Sequence, residues 1–186
     1  MTSTFITRNR LIVAGATAAV IGAGVVGVVS VQAQDQDPAA RTPVVADTAD
    51  ANLSRSTHLT VAAATEAAQA ALDAAAKENQ RVSVAVVDRN GNVIVTLRGD
   101  GAGPQSYDAA QQKAFTAVSW NAPTSELSER LKSAPHLADI DGTLFLGGGA
   151  PVKSANAPIA GIGVAGAPSG DLDEKFAQAG VASLGN

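Results

Sequence analysis

Residues 58–186 predict a single α+β domain, an antiparallel sheet of about five strands flanked by helices. Three observations carry that reading. Asn90-Gly91 separates two β-branched runs, VSVAVVD and VIVTL, and Asn-Gly suits the left-handed conformations of a tight hairpin turn. Strands joined by a hairpin pair antiparallel, which argues against a doubly wound parallel sheet. Alanine-rich helical segments precede the hairpin and follow it, so helices have a sheet to cover.

The chain begins with a different kind of segment. Arg8 and Arg10 precede an uncharged run from Leu11 to Val31, and Val31-Gln32-Ala33 offers small residues before polar QDQDP. A basic start, an apolar stretch and a cleavage site make an export signal over residues 1–33, which implies a secreted, extracellular protein. The run is also long enough to span a bilayer, so an uncleaved, membrane-associated anchor is the alternative reading. Gly22-Ala23-Gly24-Val25-Val26-Gly27 matches G-x-G-x-x-G, but no amphipathic helix follows it and Pro38 interrupts the next segment. It is read as signal and not as a dinucleotide loop. Residues 34–57 are polar, with Pro38 and Pro43, and are expected to be a flexible linker.

The domain follows element by element. Thr60 is placed to cap a helix over VAAATEAAQAALDAAAKEN, where propensity is high throughout. After the hairpin, GDGAGPQ is a loop, and Ser106 opens a second helix through Trp120, limited by Pro123. Residues 124–133 read as a short third helix. Thr143-Leu144-Phe145-Leu146 reads as a buried strand entering Gly147-Gly148-Gly149, a tight turn, and residues 159–165 as another strand. A terminal helix spans residues 172–184, with Asp171 and Asp173 where the helix dipole favours acids. A second G-x-G-x-x-G, Gly161 to Gly166, lies inside a strand with too little chain after it for another βαβ unit. Those glycines are expected to mark close backbone or subunit approach.

Composition excludes several functions. Without the signal 153 residues remain, and the net charge of −4 becomes −6 once Arg8 and Arg10 are gone. Nucleic acid is excluded as a partner, because phosphate binding needs clustered cations. With no cysteine and only His58 and His136, neither a disulfide framework nor a zinc site of the usual kind is available. The triple glycine lacks the Gly-Lys-Ser/Thr of a P-loop, and no G-x-S-x-G nucleophile elbow occurs.

Taken as an ordered set, VAVVDRNGNVIV, DGAGPQS, KAFTAVSW, FLGGGAPV and IAGIGVAGAPSGDLDEKFAQAG resemble the GlcG/HbpS-like family over roughly residues 58–186. With the export signal, the chain is most similar to the secreted haem-binding members. The resemblance implies a sheet flanked by helices, a homo-oligomer, binding of haem or non-haem iron, and association with a membrane sensor kinase responding to redox stress. It also implies two competing functions, a haem-degrading enzyme and a ligand-free interaction module of a sensor system. Many relatives carry histidine where this hairpin has Asn92 and methionine where it has Gly99, so haem must find other ligands here.

Haem requires an apolar slot, an axial ligand and cations for the propionates. His58 and His136 are the two imidazoles, each also readable as a loop residue; His136 lies beside apolar Pro135 and Leu137. Tyr107 offers a phenolate or a packing ring. Lys113, Thr116 and Trp120 share one face of the second helix. They can serve a propionate, the iron and the porphyrin edge, or simply be core with Lys113 snorkelling. For non-haem iron, Asp139 and Asp141 alternate about Ile140 and would point the same way in an extended segment. Asp171, Asp173 and Glu174 are read chiefly as helix capping.

Overall fold

A computed structural model describes residues 47–185. The export segment 1–33, its G-x-G-x-x-G and linker residues 34–46 lie outside the described residues. Residues 49 onward form one compact unit. Within it, Asp50–Asn52 is an exposed 3-10 turn, and the first regular helix, α1, spans Val61–Lys77. Thr60 caps it as expected, its hydroxyl accepting the Ala63 N–H at 3.1 Å.

The order continues as β1 Ser83–Asp88, β2 Val93–Arg98, α2 Ser106–Trp120, α3 Thr124–Arg130, β3 Gly149–Ser154, β4 Ala157–Ala165 and α4 Gly170–Ser183. The strands form one sheet in the order β2-β1-β4-β3, and every pair is antiparallel. Four strands therefore stand where about five were expected. Thr143-Leu144-Phe145-Leu146 is not a strand. The Leu144 N–H donates to the Thr116 hydroxyl at 2.8 Å and Phe145 is buried against Trp120. Side-chain anchors hold that segment, and no ladder is needed. The strand begins later, at Gly149, inside the triple glycine.

Alternation along β1 sorts the two faces of the sheet. Val84 and Val86 join Ile162, Val164, Phe176 and the α1 alanines in one core, whereas Ala85 and Val87 meet Ala110 and Ala114 of α2. The layers are thus α1 and α4, then the sheet, then α2. Fully burying a side chain such as Phe176, at 0 % exposure, contributes about 1.5–3 kcal/mol. Half of the buried residues in this core are alanine, so closely approaching backbones contribute to its stability.

The glycines of residues 161–166 serve that approach. A Cβ on Gly163 would lie 2.0 Å from the Ala110 carbonyl oxygen, and one on Gly161 would lie 2.2 Å from that of Ala114. The second G-x-G-x-x-G is therefore the groove that receives α2, as the strand reading anticipated. Gly147 likewise lies against Gly170, where an added Cβ would come within 2.9 Å of backbone.

Candidate functional site

Helix α2 lies so close to β4 that its inner face is sealed. Thr116 is fully buried; its hydroxyl donates to the Gln112 carbonyl at 2.7 Å and accepts from Leu144. Lys113 is also buried. Its ammonium donates to the Asp173 carboxylate at 2.8 Å and to the Val164 carbonyl at 3.1 Å. The shared face expected for Lys113, Thr116 and Trp120 exists, but it looks inward. Trp120 rests edge-on against Phe145 with ring centroids 5.1 Å apart. In this conformation none of the three is turned toward a ligand from solvent: Lys113 and Thr116 tie α2 to the sheet and loop, and Trp120 packs.

Asp173 and Glu174 complete that anchorage. Asp173 also accepts the Ala167 N–H at 2.9 Å, while Glu174 takes the Ser125 N–H and hydroxyl at 2.9 and 2.6 Å. The Thr124 hydroxyl accepts the Gly149 N–H at 2.7 Å. Burial pushes the Asp173 carboxyl above its ordinary range although the Lys113 ammonium pulls the other way. The start of α4, read from sequence as dipole capping, is thus also a buried polar pin. No spacing rule could have paired Lys113 with a residue so distant in the chain.

Two apolar hollows adjoin the segment 142–146. One, of about 300 Å³, is lined by Val87, Gly91, Val93, Gln111, Phe115 and Gly142. The other, of about 240 Å³, lies among Leu131, Ala138, Thr143, Leu144, Phe145 and Leu146. Consecutive residues Gly142 and Thr143 wall one hollow each, so the two are neighbours.

The histidines sit differently. His136 lies on a 3-10 turn, Pro135–Asp139, one residue from Leu137, which packs on the Ala122, Leu127 and Phe145 cluster. Its side chain is 94 % exposed, with Nδ1 3.3 Å from the Asp139 carboxylate. That contact orients the ring and leaves Nε2 without a partner among the described residues. His58 Nε2 is bonded to the Ser56 hydroxyl at 2.6 Å, while Nδ1 lies 3.9 Å from Asp88, beyond hydrogen-bond distance. Tyr107, at 39 % exposure, stands at the start of α2. Asp139 ends the 3-10 turn and Asp141 follows in a turn, so the extended geometry expected to align these carboxylates is absent. No group of three or more His, Asp or Glu able to hold a metal occurs among the described residues.

Asp88 organises the hairpin tip. One carboxylate oxygen accepts the Asn90 and Asn92 N–H groups at 2.8 and 2.9 Å. Burial raises the carboxyl, but these bonds, the Asn92 amide and the nearby His58 outweigh it and hold the pKa below its ordinary value. A depressed folded pKa contributes stability above the unfolded value, about 3.9, and loses it as pH falls through the folded value. Asp88→Ala is therefore expected to be less stable than the parent at pH 7. The difference should narrow below about pH 4 in paired thermal melts; a difference independent of pH would contradict the assignment.

The sequence matches the family described as Haem degrading protein HbpS-like over residues 59–182. The chain belongs to the HbpS-like family. Among solved structures, a double mutant of Streptomyces reticuli HbpS is 69 % identical, with a TM-score of 0.74 over 76 % of this chain and 97 % of that one. A PduOC:haem complex is 27 % identical, with a TM-score of 0.63 over 68 % of this chain and 95 % of that one. A 15.0 kDa Citrobacter freundii protein encoded between dhaT and dhaS is 33 % identical over 58 % of this chain and 80 % of its own length. The α+β fold and the HbpS-like resemblance read from the sequence therefore stand.

Proposed function

We propose that this protein is an exported, homo-oligomeric haem binder that takes haem between the β1–β2 hairpin and residues 131–146. The observation that carries the reading is the haem complex of the PduOC neighbour, which shares the fold. The local chemistry fits. His136, on the 3-10 turn whose Ala138 lines the smaller hollow, has an exposed imidazole, and Arg130 and Lys132, ion-paired with Glu126 and Glu129, flank Leu131 of that hollow in sequence. Both hollows sit at or below the low end of ligand-pocket volumes, so each shelters an edge of the macrocycle and does not engulf it. Open, singly ligated binding suits exchange, as sequestration or reporting to a membrane sensor kinase requires. Haem binding itself supplies a redox-active iron; this chain supplies the ligand, the apolar seat and the propionate partners.

Haem titration of single variants tests the site. His136→Ala is expected to shift the Soret band and weaken binding at least about tenfold, or ~1.4 kcal/mol. His58→Ala should leave the band in place. The reverse pattern would move the ligand to the far side of the hairpin and overturn the hollow as the seat, while keeping haem as the ligand. The second reading, haem degradation, draws on the family's description. It is distinguished by irreversible loss of the Soret band on adding reductant under oxygen.

A further inference from the structure

Asn90 is the only asparagine of the chain that glycine follows. Asparagine is chemically labile, and a following glycine leaves the attacking backbone nitrogen unshielded by any side chain. The structure sets this pair at the tip of the β1–β2 hairpin, where Asn90 is exposed. Three bonds hold the tip closed. The Gly91 N–H donates to the Asp88 carbonyl at 3.0 Å, and one Asp88 carboxylate oxygen accepts the Asn90 and Asn92 N–H groups. Gly91 has a φ of 89°, and a Cβ added there would lie 2.8 Å from the Phe115 ring. Gly91 and Phe115 both wall the larger hollow, so the tip backbone rests on that wall.

We infer that Asn90 is a deamidation site of the folded protein, gated by Asp88, and that its conversion to isoaspartate loosens the tip. The Gly91 nitrogen attacks the Asn90 side-chain carbonyl carbon and bonds to it. The side-chain nitrogen leaves as ammonia, taking the Gly91 proton. The resulting succinimide takes up one water and opens to aspartate or, through its other carbonyl, to isoaspartate. Nothing is oxidised or reduced, and solvent supplies the water. While the Gly91 N–H is bonded to the Asp88 carbonyl the turn is fixed, so attack requires local opening. The Asp88 carboxylate, by pinning Asn90 and Asn92, sets how often the tip opens. Isoaspartate routes the chain through the former side chain and adds one backbone carbon between residues 90 and 91. A longer tip does not keep both the Asp88–Asn92 closure and the contact of Gly91 with Phe115. It also sets a new carboxylate near that of Asp88, and like charges repel. No charged residue lines the larger hollow, so the conversion alters the charge beside it as well as its wall. The inference is independent of haem.

Ageing the full chain in mildly alkaline buffer, with peptide mass mapping at intervals, tests the site. The expected result is the amide-to-acid mass gain at Asn90 before any other asparagine, much of it as isoaspartate. Asp88→Ala should speed the conversion at least about tenfold, the effect of losing one hydrogen bond to a charged group. Its rate should approach that of the parent in urea and not exceed it. The aged species, separated by charge, should exchange its Gly91 and Asn92 amides faster than the parent. Freshly made Asn90→Asp carries the charge without the extra carbon and should exchange them as the parent does. An Asn90 that stays intact, or converts after another asparagine, would overturn the site. An unchanged rate in Asp88→Ala would overturn the gate, and parent-like exchange in the aged species would overturn the loosening.

Discussion

Lys113→Met is expected to destabilise the fold by about 3–5 kcal/mol, the loss typical of removing one partner from a buried ion pair. The Lys113 and Asp173 side chains are 6 % and 5 % exposed, so water cannot replace the lost ammonium. Their bond joins α2 to α4 across the end of the sheet, beside the Gly148 backbone. The pH dependence has a definite sign. Burial already raises the Asp173 carboxyl in the parent, and losing Lys113 raises it further. A folded pKa above the unfolded value means that the folded state binds more protons between the two, so stability falls as pH rises through that window. The deficit of Lys113→Met should therefore be larger at pH 7 than at pH 5 in urea unfolding. Adding Asp173→Asn removes the stranded charge and keeps an oxygen for the Ala167 N–H. The double variant should recover most of the loss. A single variant as stable as the parent would show that the pair does not hold α2 and α4 together.

Gly163→Ala carries the second large effect, a loss of about 3 kcal/mol or more, above the usual range for overpacking. The added carbon would meet the Ala110 carbonyl oxygen at 2.0 Å and the Ala114 nitrogen at 2.5 Å. Both are backbone of α2, so no side chain can rotate out of the way, and the helix must lift from the sheet. Lifting α2 also displaces Phe115, a wall of the larger hollow, so ligand binding should weaken with stability. Gly185→Ala is the control: its nearest contact would be an ordinary 3.7 Å, and a change within about 0.5 kcal/mol is expected. Equal melting temperatures for Gly163→Ala and the parent would contradict the close-approach account.

Much of the fold was legible in local chemistry. The Thr60 cap, the Asn90-Gly91 hairpin and a second helix from Ser106 to Trp120 are all features that neighbours in sequence decide. The misassigned strand shows where local reading fails. Thr143 to Leu146 has the apolar, β-forming character of a strand, yet Thr116 and Trp120, distant in sequence, hold it as an irregular segment. The true strand was hidden because Gly149, Pro151 and Lys153 are poor strand formers. Its hairpin to β4 turns through Ala155 and Asn156 with φ of 48° and 64°, and alanine gives little warning of a left-handed turn. At the site, periodicity correctly grouped Lys113, Thr116 and Trp120, but it does not say which layer a face meets. The glycines of β4 decided that, by drawing α2 close enough to bury the group. His136 was legible as a residue, but its 3.3 Å contact with Asp139, a residue read as a metal ligand, was not.

In the proposed reading, this chain binds haem at a defined seat. A haemin titration of residues 34–186, followed at the Soret band, tests it most directly. The account predicts a saturable spectral shift at a fixed haem-to-protein ratio, lost in part with His136→Ala. A flat or non-saturating response would contradict it, and the HbpS-like fold would then serve another function.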